Sequence, residues 1–204
     1  MEKVDHKKIF KEFYNPPRKP VIVDVPAMNY LMIDGKGYPQ TSPEYQEAME
    51  ALYPMAYTLK FALKKAGIID FKVMPLEGLW WAKDMEAFLN SSRKEEWLWT
   101  SMIMQPPEVT QDLYNEALKT VREKKNPVAL SKMRFETYHE GMSVQVLHIG
   151  PFSEEGPVIE TMHQYAADQG YVLRGKHHEI YLSDPRKTAP EKFRTVIRQP
   201  LRKI

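Results

Sequence analysis

The chain has 204 residues, a formal net charge of +2, and 43% hydrophobic and 27% charged residues, an ordinary globular balance. The absence of cysteine excludes disulfides, thiol nucleophiles and zinc–thiolate sites. So small a net charge, with Lys and Arg scattered among acidic residues, gives no nucleic-acid footprint. No apolar run approaches the roughly 20 residues of a membrane span, and "MEKVDHKKIF" lacks a signal core, so a soluble cytoplasmic protein is expected.

Ile9, Phe10, Phe13 and Tyr14 space out a short amphipathic turn or helix, ended by Asn15-Pro16-Pro17. From Val21 the chain reads as two short strands, broken at Pro26 and closed by a turn at Gly35-Lys36-Gly37. Ser42-Pro43-Glu44 opens a helix with Ser as N-cap and Pro at its first position. Apolar residues recur at threes and fours from Tyr45 to Ala66, with a kink or break expected at Pro54 and a stop at Gly67. Strands follow at about Phe71 to Trp81 and Trp97 to Gln105, around the charged loop "KDMEAFLNSSRKEE".

A connector helix is predicted from Glu108 to Lys125, with Val109, Leu113, Ala117, Leu118 and Val121 on one face. After it the order repeats. "MRFETYHEGMSVQVLHIGP" gives two strands around a turn at Glu140-Gly141. A helix follows from about Glu155 to Gln169, stopped by Gly170, and then the hairpin from Lys176 to Pro200. The returning strands match visibly, Trp99 to Pro106 ("WTSMIMQP") against Phe193 to Pro200 ("FRTVIRQP"). The chain therefore reads as α+β: two strand-helix-strand-strand modules in a pseudo-twofold arrangement, with antiparallel sheets, helices on one face and a ligand cleft between the modules. Repeat 1 covers about 20–107, the connector about 108–131 and repeat 2 about 132–204.

Each repeat carries one strand carboxylate, Glu77 in "PLEGLWW" and Glu179 in "HHEIYLSDP". Alternation groups Glu179 with Tyr181, and Glu77 with Leu79 and Trp81. If helices cover the apolar face, both Glu residues point into the cleft, where aromatic walls should raise their pKa and fit them for acid, base or cation-binding work. The plain alternative is a solvated Glu on an ordinary hairpin. Trp81, Trp97 and Trp99 in the first repeat, and Tyr138, Tyr181 and Phe193 in the second, are the rings expected to contact a planar ligand. Core packing must claim about half of the tryptophans. No histidine pair shows metal-ligand spacing on a helix, so no metal is expected. His139 and His178 can donate to a ligand oxygen, though a surface position is the simpler reading. "GKG" lacks phosphate-loop spacing, and no serine has a nucleophile-elbow context.

The hairpin "HHEIYLSDPRKTAPEKFRTVIRQPL", preceded by "LHIGPF" and a helix, resembles the GyrI-like small-molecule-binding superfamily, which includes effector-binding domains of multidrug-responsive regulators. The resemblance covers nearly everything after Pro20 and is most specific over Glu179 to Pro185. It implies one domain of two modules flanking a drug-sized cleft, with Glu179 as the carboxylate at its floor; by the repeat alone, Glu77 is its counterpart. No helix-turn-helix precedes the domain, so a stand-alone binder or enzyme is expected. The Trp-rich first half looks like the branch that hydrolyses cyclopropanoid DNA-alkylating toxins. That implies a detoxifying hydrolase with Glu179 and Glu77 as catalytic pair and no cofactor. Its partner would be a planar aromatic or hydrophobic small molecule, with neither nucleic acid nor membrane bound. The alternatives are a non-catalytic drug-sequestering or effector-binding protein and, by family analogy only, a topoisomerase modulator.

Overall fold

The structure is a computed structural model that describes residues 2–83 and 91–204. In chain order the elements are β1 (Lys3–Val4), α1 (His6–Ile9), α2 (Lys11–Tyr14), β2 (Val21–Lys36), α3 (Pro43–Lys65), β3 (Asp70–Phe71), β4 (Leu76–Trp81) and β5 (Leu98–Gln105). Then come α4 (Gln111–Lys124), β6 (Arg134–Ile149), α5 (Glu155–Asp168), β7 (Tyr171–Leu173), β8 (His177–Tyr181) and β9 (Arg194–Lys203). Residues 84–90 of the charged loop expected after Trp81 lie outside the described residues; its end, Ser91–Glu96, is a 3-10 turn. The α+β class holds, and the order strand-helix-strand-strand occurs twice, as β2-α3-β4-β5 and β6-α5-β8-β9.

Two compact units emerge. Unit 1 comprises Met1–His6, Met28–Met74 and Gly78–Tyr138; unit 2 comprises Lys7–Ala27, Pro75–Glu77 and His139–Ile204. In unit 1 the last strand of the module returns to its first: β5 pairs antiparallel with β2 from Asn29–Gln105 to Lys36–Leu98. Unit 2 repeats the pattern, β9 pairing with β6 from Ser143–Pro200 to Ile149–Arg194 and with β8 on its other side. A short parallel bridge joins β1 to β3 in unit 1, and β7 adds to the end of β9 in unit 2.

Helix α3 buries Ala48, Ala51, Leu52, Met55, Ala56, Leu59 and Leu63, the stripe that its spacing demands. Pro54 was expected to kink or break it, yet the helix runs unbroken from Pro43 to Lys65. Burial of Ala51 and Leu52 before Pro54 and of Met55 and Ala56 after it outweighs the roughly 3 kcal/mol that an interior proline costs. The Ser42 hydroxyl donates to the Lys36 carbonyl at 2.8 Å and gives the helix no side-chain cap. At the other end Gly67 takes φ +70°, and Ile68 N–H reaches back to the Leu63 carbonyl at 3.1 Å, the expected glycine stop.

Two further expectations change. Pro26 does not divide β2, which continues for 16 residues with that proline exposed. Gly141 does not end a hairpin: β6 is also one 16-residue strand, and the glycine adopts φ +70° within it. That local conformation exposes the Glu140 carbonyl to the Arg174 guanidinium, which donates to it and also holds the Leu201 carbonyl at 2.8 Å. Periodicity reports burial, and a positive-φ glycine can serve a turn or a kinked strand equally.

Unit 1 has an aromatic core in which Trp99 is fully buried, edge-on to Tyr45 at 5.2 Å, while Tyr45 also stacks on Trp80 at 6.3 Å. Trp99 stands opposite Gly35 in register, and a Cβ at Gly35 would fall 2.2 Å from its ring. The glycine is therefore a packing requirement. Gly35→Ala should lower stability by about 1–3 kcal/mol, the usual range for overpacking. Thermal unfolding would register this as a lower Tm, and an unchanged Tm would mean that the ring yields without cost.

Candidate functional site

Strand β8 has the sequence His177-His178-Glu179-Ile180-Tyr181, and alternation sends His178 to one face and His177, Glu179 and Tyr181 to the other. The first face is a closed polar cluster in unit 2. His178 is fully buried, with Arg198 of β9 opposite it in register. Its Nδ1–H is 3.0 Å from both oxygens of Glu140 on β6, and its Nε2–H donates to Glu77 Oε2 at 3.0 Å. Tyr14 of α2 donates its hydroxyl to Glu77 Oε1 at 2.6 Å. Arg198 donates to Glu140 Oε2 at 2.9 Å, to Gln145 Oε1 at 3.0 Å and to the Phe13 carbonyl at 2.7 Å.

Both ring nitrogens of His178 face carboxylates, which suits the doubly protonated imidazolium. Burial alone would lower His178, but the charge of Glu140 and the hydrogen bonds it donates to both carboxylates raise it to about 9. For Glu140 burial alone would raise the carboxyl; the charges and hydrogen bonds of His178 and Arg198 hold it at about 2. Two carboxylates thus meet two cations and the cluster is neutral as a whole, the condition under which buried charge is tolerable.

The stability contribution of this cluster depends on pH in a calculable way. The raised His178 stabilises fully below its ordinary 6.5, and this is lost as pH climbs through about 9. The depressed Glu140 stabilises fully above 4.5, and this is lost as pH falls through about 2. Urea midpoints should therefore be highest between about pH 4.5 and 6.5 and fall on both sides; a midpoint that rises from pH 6.5 to 9 would contradict a charged His178. Removing the guanidinium in Arg198→Met leaves Glu140 short of a cation and should cost about 3–5 kcal/mol of unfolding free energy. Chemical denaturation would measure it.

The second face holds Glu179, whose side chain is 16% exposed. His177 Nε2 lies 3.1 Å from Glu179 Oε1, and the Tyr181 hydroxyl donates to Oε2 at 2.8 Å. Tyr181 belongs to a ring cluster: Phe152 meets it edge-on at 5.8 Å and Phe193 at 5.3 Å. On the same face Ile197, opposite Glu179 in register, joins Val144, Val146, Met162 and Ala166 in the core under α5. The first turn of that helix brings a second carboxyl, Glu155, within reach of Glu179, while the Thr195 hydroxyl nearby is buried with no hydrogen-bond partner among the described residues. The pKa expected to rise at Glu179 falls instead. Burial would raise it, but the His177 hydrogen bond and charge, with the Tyr181 hydroxyl and the nearby His178, outweigh that. Burial and the Glu179 charge push up Glu155 in its place.

Several sequence expectations are thereby redistributed. Glu77 and Glu179 do not share a face: Glu77 is 0% exposed, shut in by Tyr14 and His178, on the side of β8 away from Glu179. His178 is no surface histidine, whereas His139 is exposed. Tyr181 stands at Glu179 as alternation implied, and Phe193 packs on Phe152, which meets Tyr181. In unit 1, Trp81 and Trp97 are half-buried and Tyr138 is half-buried against Tyr30 at 6.4 Å, while Trp99 belongs to the core. Sequence reasoning missed Tyr14, Glu140, Glu155 and Arg198. One signal existed: Arg198 interrupts an apolar strand, and a charge there needs a buried partner. Among the described residues no cluster of His, Asp and Glu could hold a metal ion, and no helix is long and apolar enough to cross a membrane.

A domain of duplicated strand-helix-strand-strand units with a buried carboxylate among aromatic rings is the arrangement of a small-molecule binder. The chain belongs to the GyrI-like small molecule binding domain family, whose model matches residues 18–202. It is similar to an uncharacterized conserved protein from Listeria innocua at 43% identity, covering 98% of this chain and 100% of that one, with a TM-score of 0.91. A protein described as a hydrolase from Listeria innocua shares 42% identity over the same fractions, with a TM-score of 0.85. Another described as a Listeria innocua hydrolase shares 43% identity over 98% of this chain and 100% of that one, at a TM-score of 0.88. A comparison with curated proteins gave no match.

Proposed function

We propose that this protein hydrolyses the activated cyclopropane of planar, aromatic DNA-alkylating toxins, a detoxifying reaction that confers drug resistance. The observation that carries the reading is Glu179: a carboxylate whose oxygens are fixed by His177 and Tyr181, with Tyr181 leading into a ring cluster of Phe152 and Phe193. Likeness to two proteins described as hydrolases, over almost the whole of each chain, supports catalysis.

In such a substrate the three-membered ring is conjugated to a dienone carbonyl. Glu179 takes a proton from water while the water oxygen bonds to the ring methylene. The strained C–C bond breaks, and its electron pair moves through the conjugated system to the carbonyl oxygen, giving a phenolate. The proton on Glu179 then passes to that phenolate. The net change is addition of one water, with no redox partner. A depressed pKa keeps Glu179 ionised at neutral pH, the state that a base requires, and such a group contributes about 10²–10⁴-fold. Glu77 serves this centre indirectly, by holding His178, the strand neighbour of Glu179.

A second reading, non-catalytic sequestration of a drug or effector, draws on the same ionised Glu179, which would also pair with a cationic ligand, and on the family's small-molecule-binding description. Incubation with a cyclopropanoid alkylator followed by mass spectrometry separates the two. Hydrolysis predicts a gain of one water by the compound, reduced about 10²-fold or more in Glu179→Gln. Unchanged compound with quenched Trp fluorescence would mean binding alone.

A further inference from the structure

Glu155 is 5% exposed, and its Oε1 has no hydrogen-bond partner among the described residues. Glu179 is the charged group that acts on it, and among the described residues no cation does. Glu179, in contrast, already receives His177 and Tyr181. Two carboxyls in hydrogen-bonding reach of each other in a buried place cannot both ionise, and the one without donors keeps the proton. The placement is built by the fold: Thr195 sits opposite Tyr181 in register, and α5 is anchored on this face by Met162 and Ala166. Phe152, in the turn immediately before α5, packs on Tyr181 and so fixes the start of that helix over the strand. Being in the first helical turn favours an anion, but without a donor at Oε1 that benefit cannot replace lost hydration.

We propose that Glu155 is a positioning residue that shares one proton with Glu179, so that the pair presents a single negative charge to the ligand. The inference rests on the hydrolytic reading for its kinetic consequence, though the shared proton itself does not. Its donated O–H holds the Glu179 carboxylate as His177 and Tyr181 do, and the proton stays within the pair through turnover. The titratable groups around the pair are His177 and Tyr181 on β8, His178 behind them, and His163 on α5, which interacts with His177. Loss of the shared proton turns a hydrogen bond into like-charge repulsion, and turnover falls on the alkaline side.

Glutamate side chains labelled with ¹³C at the carboxyl, followed by NMR across pH in the full-length protein, test the pair directly. One resonance should titrate well above the ordinary carboxylate range, vanish in Glu155→Gln and move down in Glu179→Gln. If every glutamate carboxyl of the wild type titrates in the ordinary range, the shared proton is refuted. Kinetically, Glu155→Leu should lower cyclopropane hydrolysis about 10²-fold, the scale of a mispositioned group, while Glu155→Gln recovers much of that and loses the alkaline fall. Equal losses in both variants with the alkaline fall retained would reduce Glu155 to packing and overturn its positioning role. A wild type that converts no cyclopropane would overturn the hydrolytic reading alone, since the NMR titration reads the pair without turnover.

Discussion

The neutral cluster of Glu77, His178, Glu140 and Arg198 is the constraint on which unit 2 depends. Four ionisable side chains leave water together, and each is tolerable only because the others are in place. The cluster ties strands β4, β6, β8 and β9 to one another, and through Tyr14 and the Phe13 carbonyl it also ties them to the N-terminal arm. The arm is thereby a structural part of the unit. A hydrophobic core is non-directional, whereas these hydrogen bonds fix one register and one rotamer at each partner.

Strand β8 converts that rigidity into chemistry. His178 faces the charge cluster and Glu179, one residue on, faces the opposite way among Tyr181, Phe152 and Phe193. The Glu179 carboxylate, the group proposed to meet a ligand, is therefore mounted on a strand whose other face cannot move without exposing unpaired charge. Such support favours a carboxylate held in one orientation, which base catalysis and cation recognition both require. The two faces also handle their carboxyls differently. Glu140 is held low by the two cations beside it, whereas burial and the charge of Glu179 push Glu155 up.

The repeat is real at the level of topology and unequal at the level of side chains. Both modules return their last strand to their first, and in both an aromatic residue closes on a glycine: Trp99 on Gly35, and Phe193 through its carbonyl to the Gly150 N–H at 3.0 Å. In "WTSMIMQP" and "FRTVIRQP", however, Met104 stands where Arg198 does. The first module buries an apolar side chain at this point, and the second builds its charge cluster there. Reading Glu77 as the copy of Glu179 failed because similarity in a strand does not fix which face a residue meets when a neighbouring strand supplies a histidine.

From the sequence alone came the α+β class, the duplicated order, the extents of α3 and α5 to within a residue or so, and Glu179 with its ring neighbours. These follow from local rules: apolar periodicity, glycine stops and alternation act over a few residues and are written in the order of the chain. Tertiary structure alone decided that Pro26 and Gly141 lie within continuous strands, that Glu77 and His178 are buried, and that Glu155 joins Glu179. Each depends on partners tens of residues away, such as Glu77 with His178 and Glu155 with Glu179. A carboxylate's charge state is set by what surrounds it in space, and sequence neighbours say little of that until the chain has folded.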